Sequence, residues 1–233
     1  MKTIGLIGGM SWESPVTYYR LINEAVQKQL GGVHSARILM HSFDFEDIAA
    51  LQRAGAWDDC NATLAQAGRG LVQAGADILL ICTNTMHICA TALEQAVPVP
   101  VLHIADPLGE AVTAAGLHRV GLIGTKFTME RPDVLRGRLT AQYDLEILTP
   151  TGGDADEIHR VIFEELCCGR LLDTSRMRLR DIIAGLVAQG AQGIILGCTE
   201  IPLLIGTADA TVPLFDTTTL HAMAAAEFAL EQD

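Results

Sequence analysis

The sequence predicts an α/β protein of two pseudosymmetric domains, each a mostly parallel sheet flanked by helices, with a functional site between them. Two observations carry this expectation. The chain repeats itself: Ala74-Gly75-Ala76-Asp77-Ile78-Leu79-Leu80-Ile81-Cys82-Thr83-Asn84-Thr85 returns as Gln189-Gly190-Ala191-Gln192-Gly193-Ile194-Ile195-Leu196-Gly197-Cys198-Thr199-Glu200, about 115 residues later, the size of one small domain. Thr3-Ile4-Gly5-Leu6-Ile7-Gly8-Gly9 likewise returns as Arg119-Val120-Gly121-Leu122-Ile123-Gly124-Thr125, and Val99-Pro100-Val101-Leu102-His103, more weakly, as Val212-Pro213-Leu214-Phe215-Asp216. In addition, short β-branched apolar runs alternate with longer stretches of helical period, the pattern of βα units around a sheet buried on both faces.

The strands fall at Thr3 to Ile7, Arg37 to His41, Ile78 to Cys82, Val99 to His103, Val120 to Ile123, Leu145 to Leu148, Gly193 to Leu196 and Val212 to Phe215. Helices fill the gaps. The first is punctuated by Ser14 as N-cap, Pro15 at the first helical position, Tyr18, Leu21, Ile22 and Ala25 on one face, and Gly31-Gly32 as a stop. Asp154 to Glu157 reads as a charged helix start. A helix over Ala105 to Gly116 is expected to bridge the halves, and one over Thr217 to Glu231 to pack back. The domains are therefore expected at residues 1–104 with 217–233, and at 105–216.

A composition with 49% hydrophobic and only 5% aromatic residues supplies a packed, aliphatic core. The formal charge of −12, from 16 Lys+Arg against 28 Asp+Glu, argues against nucleic acid or an anionic membrane as partner, because both need a basic face. A small-molecule partner is favoured. No apolar run is long enough to span a bilayer, and Met1-Lys2-Thr3-Ile4 leads straight into a strand, so a cytoplasmic location is expected. Cys60, Cys82, Cys89, Cys167, Cys168 and Cys198 are too irregularly spaced for a disulfide framework or a zinc site, and most read as buried thiols.

In such sheets, ligands bind beyond the carboxyl ends of the strands. Gly8 to Ser11, His41 to Phe45, Thr83 to His87, Gly124 to Thr128 and Cys198 to Ile201 all fall at such ends. Backbone N–H groups at helix starts, with the Asn84, Thr85 and Thr199 side chains, are suited to hold a carboxylate. If the repeats face each other, Thr83 and Cys198 oppose across one cleft. A helix N-terminus there would lower the Cys198 thiol pKa and make it a base at neutral pH; the alternative is an inert thiol at a strand end.

Ile4-Gly5-Leu6-Ile7-Gly8-Gly9-Met10, Thr83-Asn84-Thr85-Met86-His87 and Gly197-Cys198-Thr199-Glu200 resemble the three signatures of the aspartate/glutamate racemase family, and the likeness spans the chain. The resemblance implies two pseudosymmetric α/β domains and a two-base racemisation of an amino-acid substrate. One group takes the α-proton from one face and another returns a proton to the opposite face, with no pyridoxal phosphate and no metal. Met10, by its motif position, and Gln52, by the resemblance, are expected to line the substrate pocket with Thr125, beside Asn84, Thr85, Thr199 and Glu200. A homodimer is expected, although nothing in the sequence identifies its face.

Two departures from the family pattern stand out. The family usually has cysteine immediately before the Asn-Thr pair, where this chain has Thr83, with Cys82 one residue earlier. A hydroxyl is a far weaker acid than a thiol, so an asymmetric pair is expected, with Cys198 the competent base and Thr83 its partner. Strand alternation turns Cys82 toward the core if Thr83 faces the cleft. Acid-specific members also resemble one another in a lysine where this chain has Cys167, and in an arginine after the second strand, where this chain has Asp44-Phe45-Glu46-Asp47. Without those counter-charges neutral amino acids become credible substrates, unless Arg53, Lys126 or Arg131 compensates.

His87 reads as a hydrogen-bonding residue at a helix start rather than a base, and His103 and Asp216 as ties for strand ends. Glu200 either holds a substrate ammonium group or caps its own helix. Three alternatives stay open: another cysteine-dependent enzyme of the superfamily (hydantoin racemase, decarboxylase, maleate isomerase), a non-catalytic amino-acid-binding protein, and, weakly, a nucleotide-binding oxidoreductase. For the last, Gly5-Leu6-Ile7-Gly8-Gly9 lacks the full glycine fingerprint.

Overall fold

The computed structural model describes residues 1–231. The chain forms two compact units, one of residues 1–104 with residues 221–231, the other Ala105–Leu220. The first unit runs β1 (Thr3–Gly8), α1 (Glu13–Leu30), β2 (Arg37–Ser42), α2 (Phe45–Ala54), α3 (Trp57–Gln73), β3 (Ile78–Ile81), a 3-10 turn at Thr85–Cys89, α4 (Ala90–Ala96) and β4 (Val101–Leu102). Its four strands are parallel in the order β2-β1-β3-β4.

The second unit runs α5 (Ala105–Ala114), β5 (Arg119–Gly124), α6 (Lys126–Glu130), α7 (Arg136–Tyr143), β6 (Glu146–Leu148), α8 (Gly153–Arg160), a π-turn at Val161–Glu165, a 3-10 turn at Leu166–Cys168, α9 (Asp173–Ala188), β7 (Ile194–Gly197) and β8 (Leu214–Asp216). Its strands, again parallel, take the order β6-β5-β7-β8. Since β1 and β5, β3 and β7, and β4 and β8 carry the sequence echoes, the internal repeat is a repeat of topology.

The last helix, α10 (Thr217–Leu230), starts in the second unit and continues into the first. The expected division at residue 217 therefore falls one turn early. Asp216 fixes that turn, accepting from the Thr218 amide at 2.9 Å and the Thr219 hydroxyl at 2.6 Å, while the Thr217 hydroxyl donates to the Leu196 carbonyl at 2.9 Å. Residues 232–233 of the expected N-terminal domain lie outside the described residues.

Period-two alternation assigns the faces of the first sheet. Ile7, Leu79 and Ile81 pack on Leu64 and Leu71 of α3 and on Met86. Ile4, Leu6, Ile78, Leu80 and Cys82 pack the other way, against Tyr18, Ile22 and Val26 of α1 and Ala222, Ala225, Ala226 and Ala229 of α10. Each fully buried aliphatic side chain contributes about 1.5–3 kcal/mol, which explains why strands this short hold. In the second sheet Ile194, Leu196 and Cys198 point into one cluster with Ile158, Ile162, Leu179, Ile183 and Leu186.

Four expected strands are shorter than read; Ile78 to Cys82 and Leu145 to Leu148 each lose one residue, to Ile78–Ile81 and Glu146–Leu148, and the two that carry a proline change further. Val99 to His103 keeps only Val101–Leu102, and Val212 to Phe215 shifts to Leu214–Asp216. Pro100 and Pro213 have no N–H for a ladder, and contribute only their carbonyls, to the Leu79 amide at 3.0 Å and the Ile194 amide at 2.9 Å. The first helix also starts differently. Trp12 is the N-cap, without a side-chain bond, and Ser14 lies inside the first turn. Its hydroxyl does not cap the helix but donates to the Cys82 carbonyl at 2.5 Å. Tyr18, Ile22 and Val26 form the buried face, Leu21 and Ala25 are half-buried, and Gly31 at φ 74° ends the helix.

Candidate active site

In the first unit the polar cluster begins where β3 runs out. Cys82 still donates its amide to the Ile7 carbonyl at 2.9 Å. Its side chain is buried beside Leu80 and Tyr18, and burial pushes the thiol far above its usual range. Thr83 has the opposite parity, shared with Leu79 and Ile81, and is half-buried. Asn84 and Thr85 are buried at the entry to the 3-10 turn. Met10, buried after Gly8-Gly9, packs in the same cluster as Met86 and Ile48. Gln52 of α2 is buried and donates its amide to the Met86 sulfur at 3.0 Å. Met86 thus gathers Met10 and Gln52 next to the Thr83-Asn84-Thr85 loop.

Behind that loop lies a histidine cluster. His87 Nδ1 is 2.8 Å from the Thr83 carbonyl, and its Nε2 accepts from the Ile104 amide at 3.1 Å. The His103 ring lies 4.6 Å from that of His87, and the His221 ring 5.8 Å from it. His87 is therefore the hydrogen-bonding residue expected. His103 packs on it.

In the second unit Thr125 and Cys198 come directly after the register partners Gly124 and Gly197 at the carboxyl ends of β5 and β7. The Thr125 hydroxyl caps α6, accepting from the Thr128 amide at 3.2 Å, and lies 3.1 Å from the Thr128 hydroxyl. Cys198 donates its Sγ–H to Glu200 Oε2 at 2.9 Å, and Thr199 donates its hydroxyl to the same oxygen at 2.8 Å. Glu200 makes no side-chain capping bond to the turn after it. Of its two expected roles, the cap is therefore not the one its side chain plays.

The expected lowering of the Cys198 pKa is reversed. Burial, and after it the charge of Glu200, drives the thiol well above its ordinary value. Cys198 leads only into a 3-10 turn, Ile201–Leu203, too short to build a macrodipole against that desolvation. The same holds after Thr83, where a five-residue 3-10 turn precedes α4. Cys167 is pushed up to about 12 by burial, then by Glu200, so it shares this apolar, anionic neighbourhood.

The cations considered as substitutes for the missing lysine and arginine are all paired. Arg53 binds Glu46, Lys126 binds Asp156, and Arg131 forms a two-pronged bond with Asp133. Among the described residues, no group of three or more His, Cys, Asp or Glu side chains is arranged to hold a metal ion, and no helix is long and apolar enough to cross a membrane. Sequence reasoning missed Ser14 as a partner of Cys82, and the pairing of His221 with Tyr18 and Leu102. No motif marks either.

Two copies of one parallel α/β unit, each ending a central strand in a hydroxyl or thiol and an adjoining polar pair, define a class of pseudosymmetric α/β proteins. The chain belongs to the Asp/Glu/Hydantoin racemase family, whose model matches residues 7–225. Among solved structures it is similar to a candidate Asp/Glu racemase from Yersinia pestis, at 49% identity over 99% of this chain and 100% of that one, TM-score 0.93. It is also similar to an aspartate racemase homologue from Pyrococcus horikoshii, at 31% identity over 99% and 100% of the two chains, TM-score 0.85. A curated glutamate racemase from Geobacter metallireducens is 30% identical over 138 residues, 58% of this chain and 48% of that protein. The chain spans about half the length of the first curated relatives it matches.

Proposed function

We propose that the protein is an amino-acid racemase that interconverts L and D enantiomers, of aspartate, glutamate or a broader set, by two-base proton transfer at the α-carbon. Cys198 removes the proton from one face and the Thr83 hydroxyl supplies one to the other. The observation that carries the reading is the Cys198–Glu200 hydrogen bond at 2.9 Å in a buried setting. A thiol held protonated by a carboxylate becomes a base once that charge is neutralised, and an amino acid brings the neutralising group itself. Glu200 receives the substrate ammonium, the repulsion that keeps Cys198 protonated is offset, and the thiolate forms only with substrate present. Asn84 and Thr85 hold the α-carboxylate, joined by the Thr199 hydroxyl, which turns from Glu200 as the substrate ammonium replaces it there; Thr125 lies beside the carboxylate, while Met10 and Gln52 bound the pocket.

The proton taken by sulfur exchanges with solvent, and the alkoxide left on Thr83 is reprotonated by water, so the pair is reset after each turnover. Side chains of the protein suffice for these steps, without pyridoxal phosphate or metal. With Arg53, Lys126 and Arg131 already paired, small neutral amino acids join the acidic ones as substrates to be tested. Six free cysteines suit a reducing cytoplasm. The exposed row formed by Trp12, the N-cap of α1, with Val16 and Tyr19 supports a homodimer, which light scattering of the Trp12→Asp variant checks.

The deciding experiment is a panel of L- and D-amino acids in deuterated water, with chiral chromatography of the products, for wild type and Cys198→Ser. Inversion with α-deuterium incorporation in wild type, lost in the variant while binding persists, supports the reading. Ligand binding without exchange in wild type would replace it with a non-catalytic amino-acid-binding protein.

A further inference from the structure

We infer that His87, helped by Ser14, is a positioning residue that sets the Thr83 hydroxyl for proton transfer; this rests on the two-base reading above. Thr83 lies beyond the last ladder position of β3, so the sheet no longer fixes its peptide groups. Side chains take over. The carbonyl of Cys82 accepts from the Ser14 hydroxyl at 2.5 Å, and the next carbonyl, that of Thr83, lies 2.8 Å from His87 Nδ1. Two consecutive carbonyls are thus held from α1 and from the 3-10 turn, which fixes the peptide plane on either side of the Thr83 α-carbon.

The partners of the imidazole set its protonation state. The Ile104 amide can only donate, so His87 Nε2, 3.1 Å away, is the acceptor, and the ring proton sits on Nδ1 and points at the Thr83 carbonyl. The ring is 2% exposed, with the His103 ring against it at 4.6 Å. Its far anchor is held in turn: His221 Nε2 donates to the Leu102 carbonyl at 2.9 Å, and His221 Nδ1 accepts from the Tyr18 hydroxyl at 2.8 Å. His87 therefore ties the Thr83 loop to a strand end that is itself pinned. A misplacement of about 1 Å at a reacting group costs on the order of 100-fold in rate.

The test uses the full chain in deuterated water with each enantiomer of a substrate, scoring inversion and α-hydrogen exchange separately. His87→Asn keeps an amide donor where Nδ1 stands. His87→Gln reaches the Nε2 position and gives up the donor to Thr83. The expected result is that His87→Gln loses inversion by about 10- to 100-fold while exchange without inversion at the Cys198 face persists, and that His87→Asn recovers most of the inversion. Unchanged inversion in His87→Gln, or equal losses of inversion and exchange in both variants, would overturn the inference.

A second readout does not depend on turnover. The thiol introduced by Thr83→Cys is alkylated with iodoacetamide and located by mass spectrometry, alone and with each His87 variant added. A several-fold change in rate with His87→Gln but not with His87→Asn supports the clamp, and identical rates overturn it. If that contrast holds while wild type inverts no amino acid, the racemase reading fails and the clamp stands.

Discussion

Cys198 Sγ donates to Glu200 Oε2 at 2.9 Å, with the two residues 7% and 4% exposed. The carboxylate and the burial act in one direction, both holding the proton on sulfur. Replacing Glu200 by Gln keeps the shape and removes the charge. The pH profile of Cys198 alkylation is therefore expected to move to lower pH in Glu200→Gln, read by quantitative mass spectrometry of the labelled peptide. Turnover moves the other way. Losing a buried charge-assisted contact to an ammonium group costs about 2 kcal/mol or more, so KM rises roughly 30-fold. An unshifted alkylation profile would show that Glu200 does not govern the thiol.

Thr83 and Cys198 occupy equivalent positions in the two repeats but differ in acidity by many orders of magnitude. Thr83→Val deletes the hydroxyl and retains the branched shape. Inversion is expected to fall by about 100-fold or more, while the enantiomer whose α-proton meets Cys198 still exchanges with deuterated water. Thr83→Cys is expected to bring the kcat values in the two directions closer together, with KM following, since the two kcat/KM values are equal for enantiomers in any variant. Chiral chromatography combined with mass spectrometry reads both quantities. Loss of exchange together with inversion in Thr83→Val would argue against separate proton-transfer groups.

All eight strands are legible in the sequence because each is a mostly apolar run bounded by turn residues, and the repeat supplies the topology; the expectation of sheets buried on both faces fails at the edge strand β2, which is largely exposed. The strand ends are not, since Pro100 and Pro213 act through the carbonyls they keep as well as the amides they lack. Ser14 illustrates a limit of local signals. A serine ahead of a proline reads as a helix cap, but the stronger claim on its hydroxyl is the Cys82 carbonyl, 68 residues away in the chain. The Cys198 pKa escapes the sequence for a similar reason. Its motif implies a helix start, while desolvation and the placement of Glu200 are tertiary facts that no spacing encodes.

Gly9 carries the chain from β1 to Met10 at φ 85°, and a Cβ built there would lie 2.3 Å from the Phe43 amide nitrogen and 2.4 Å from its carbonyl oxygen. Both are backbone atoms and cannot swing aside. Gly31 provides the control, since its φ is 74° but nothing lies within 4 Å of the added carbon. Gly31→Ala is expected to cost about 1–3 kcal/mol, the strain alone of a backbone at φ 74° and ψ −174°, a region essentially confined to glycine. Gly9→Ala is expected to cost more than about 3 kcal/mol and to displace Met10. Thermal melts of the two variants decide it, and equal destabilisation would show that the Phe43 segment yields.

His221 predicts a pH dependence that needs no catalysis. The ring is fully buried between Tyr18 and the Leu102 carbonyl, and burial, with a smaller contribution from His87, pushes its pKa down to about 3. In the unfolded chain an imidazole titrates near 6.5. Between those values the unfolded chain binds a proton that the folded one refuses, so the stabilisation is whole above about pH 6.5 and declines as the pH falls. Each pH unit costs about 1.4 kcal/mol, so a loss of about 2 kcal/mol is expected by pH 5. For a chain of this size that lowers Tm by about 4–8 °C relative to pH 7. His221→Gln is less stable at pH 7, yet its Tm should fall less than that of wild type over the same interval, because its side chain does not titrate, while His159, whose pKa burial also lowers, still contributes to the decline. The carboxyls held low by arginine partners, Asp133, Glu157 and Asp209, lose their contribution only at lower pH, below the window. A parallel decline in wild type and His221→Gln between pH 7 and 5 would assign the effect to another group.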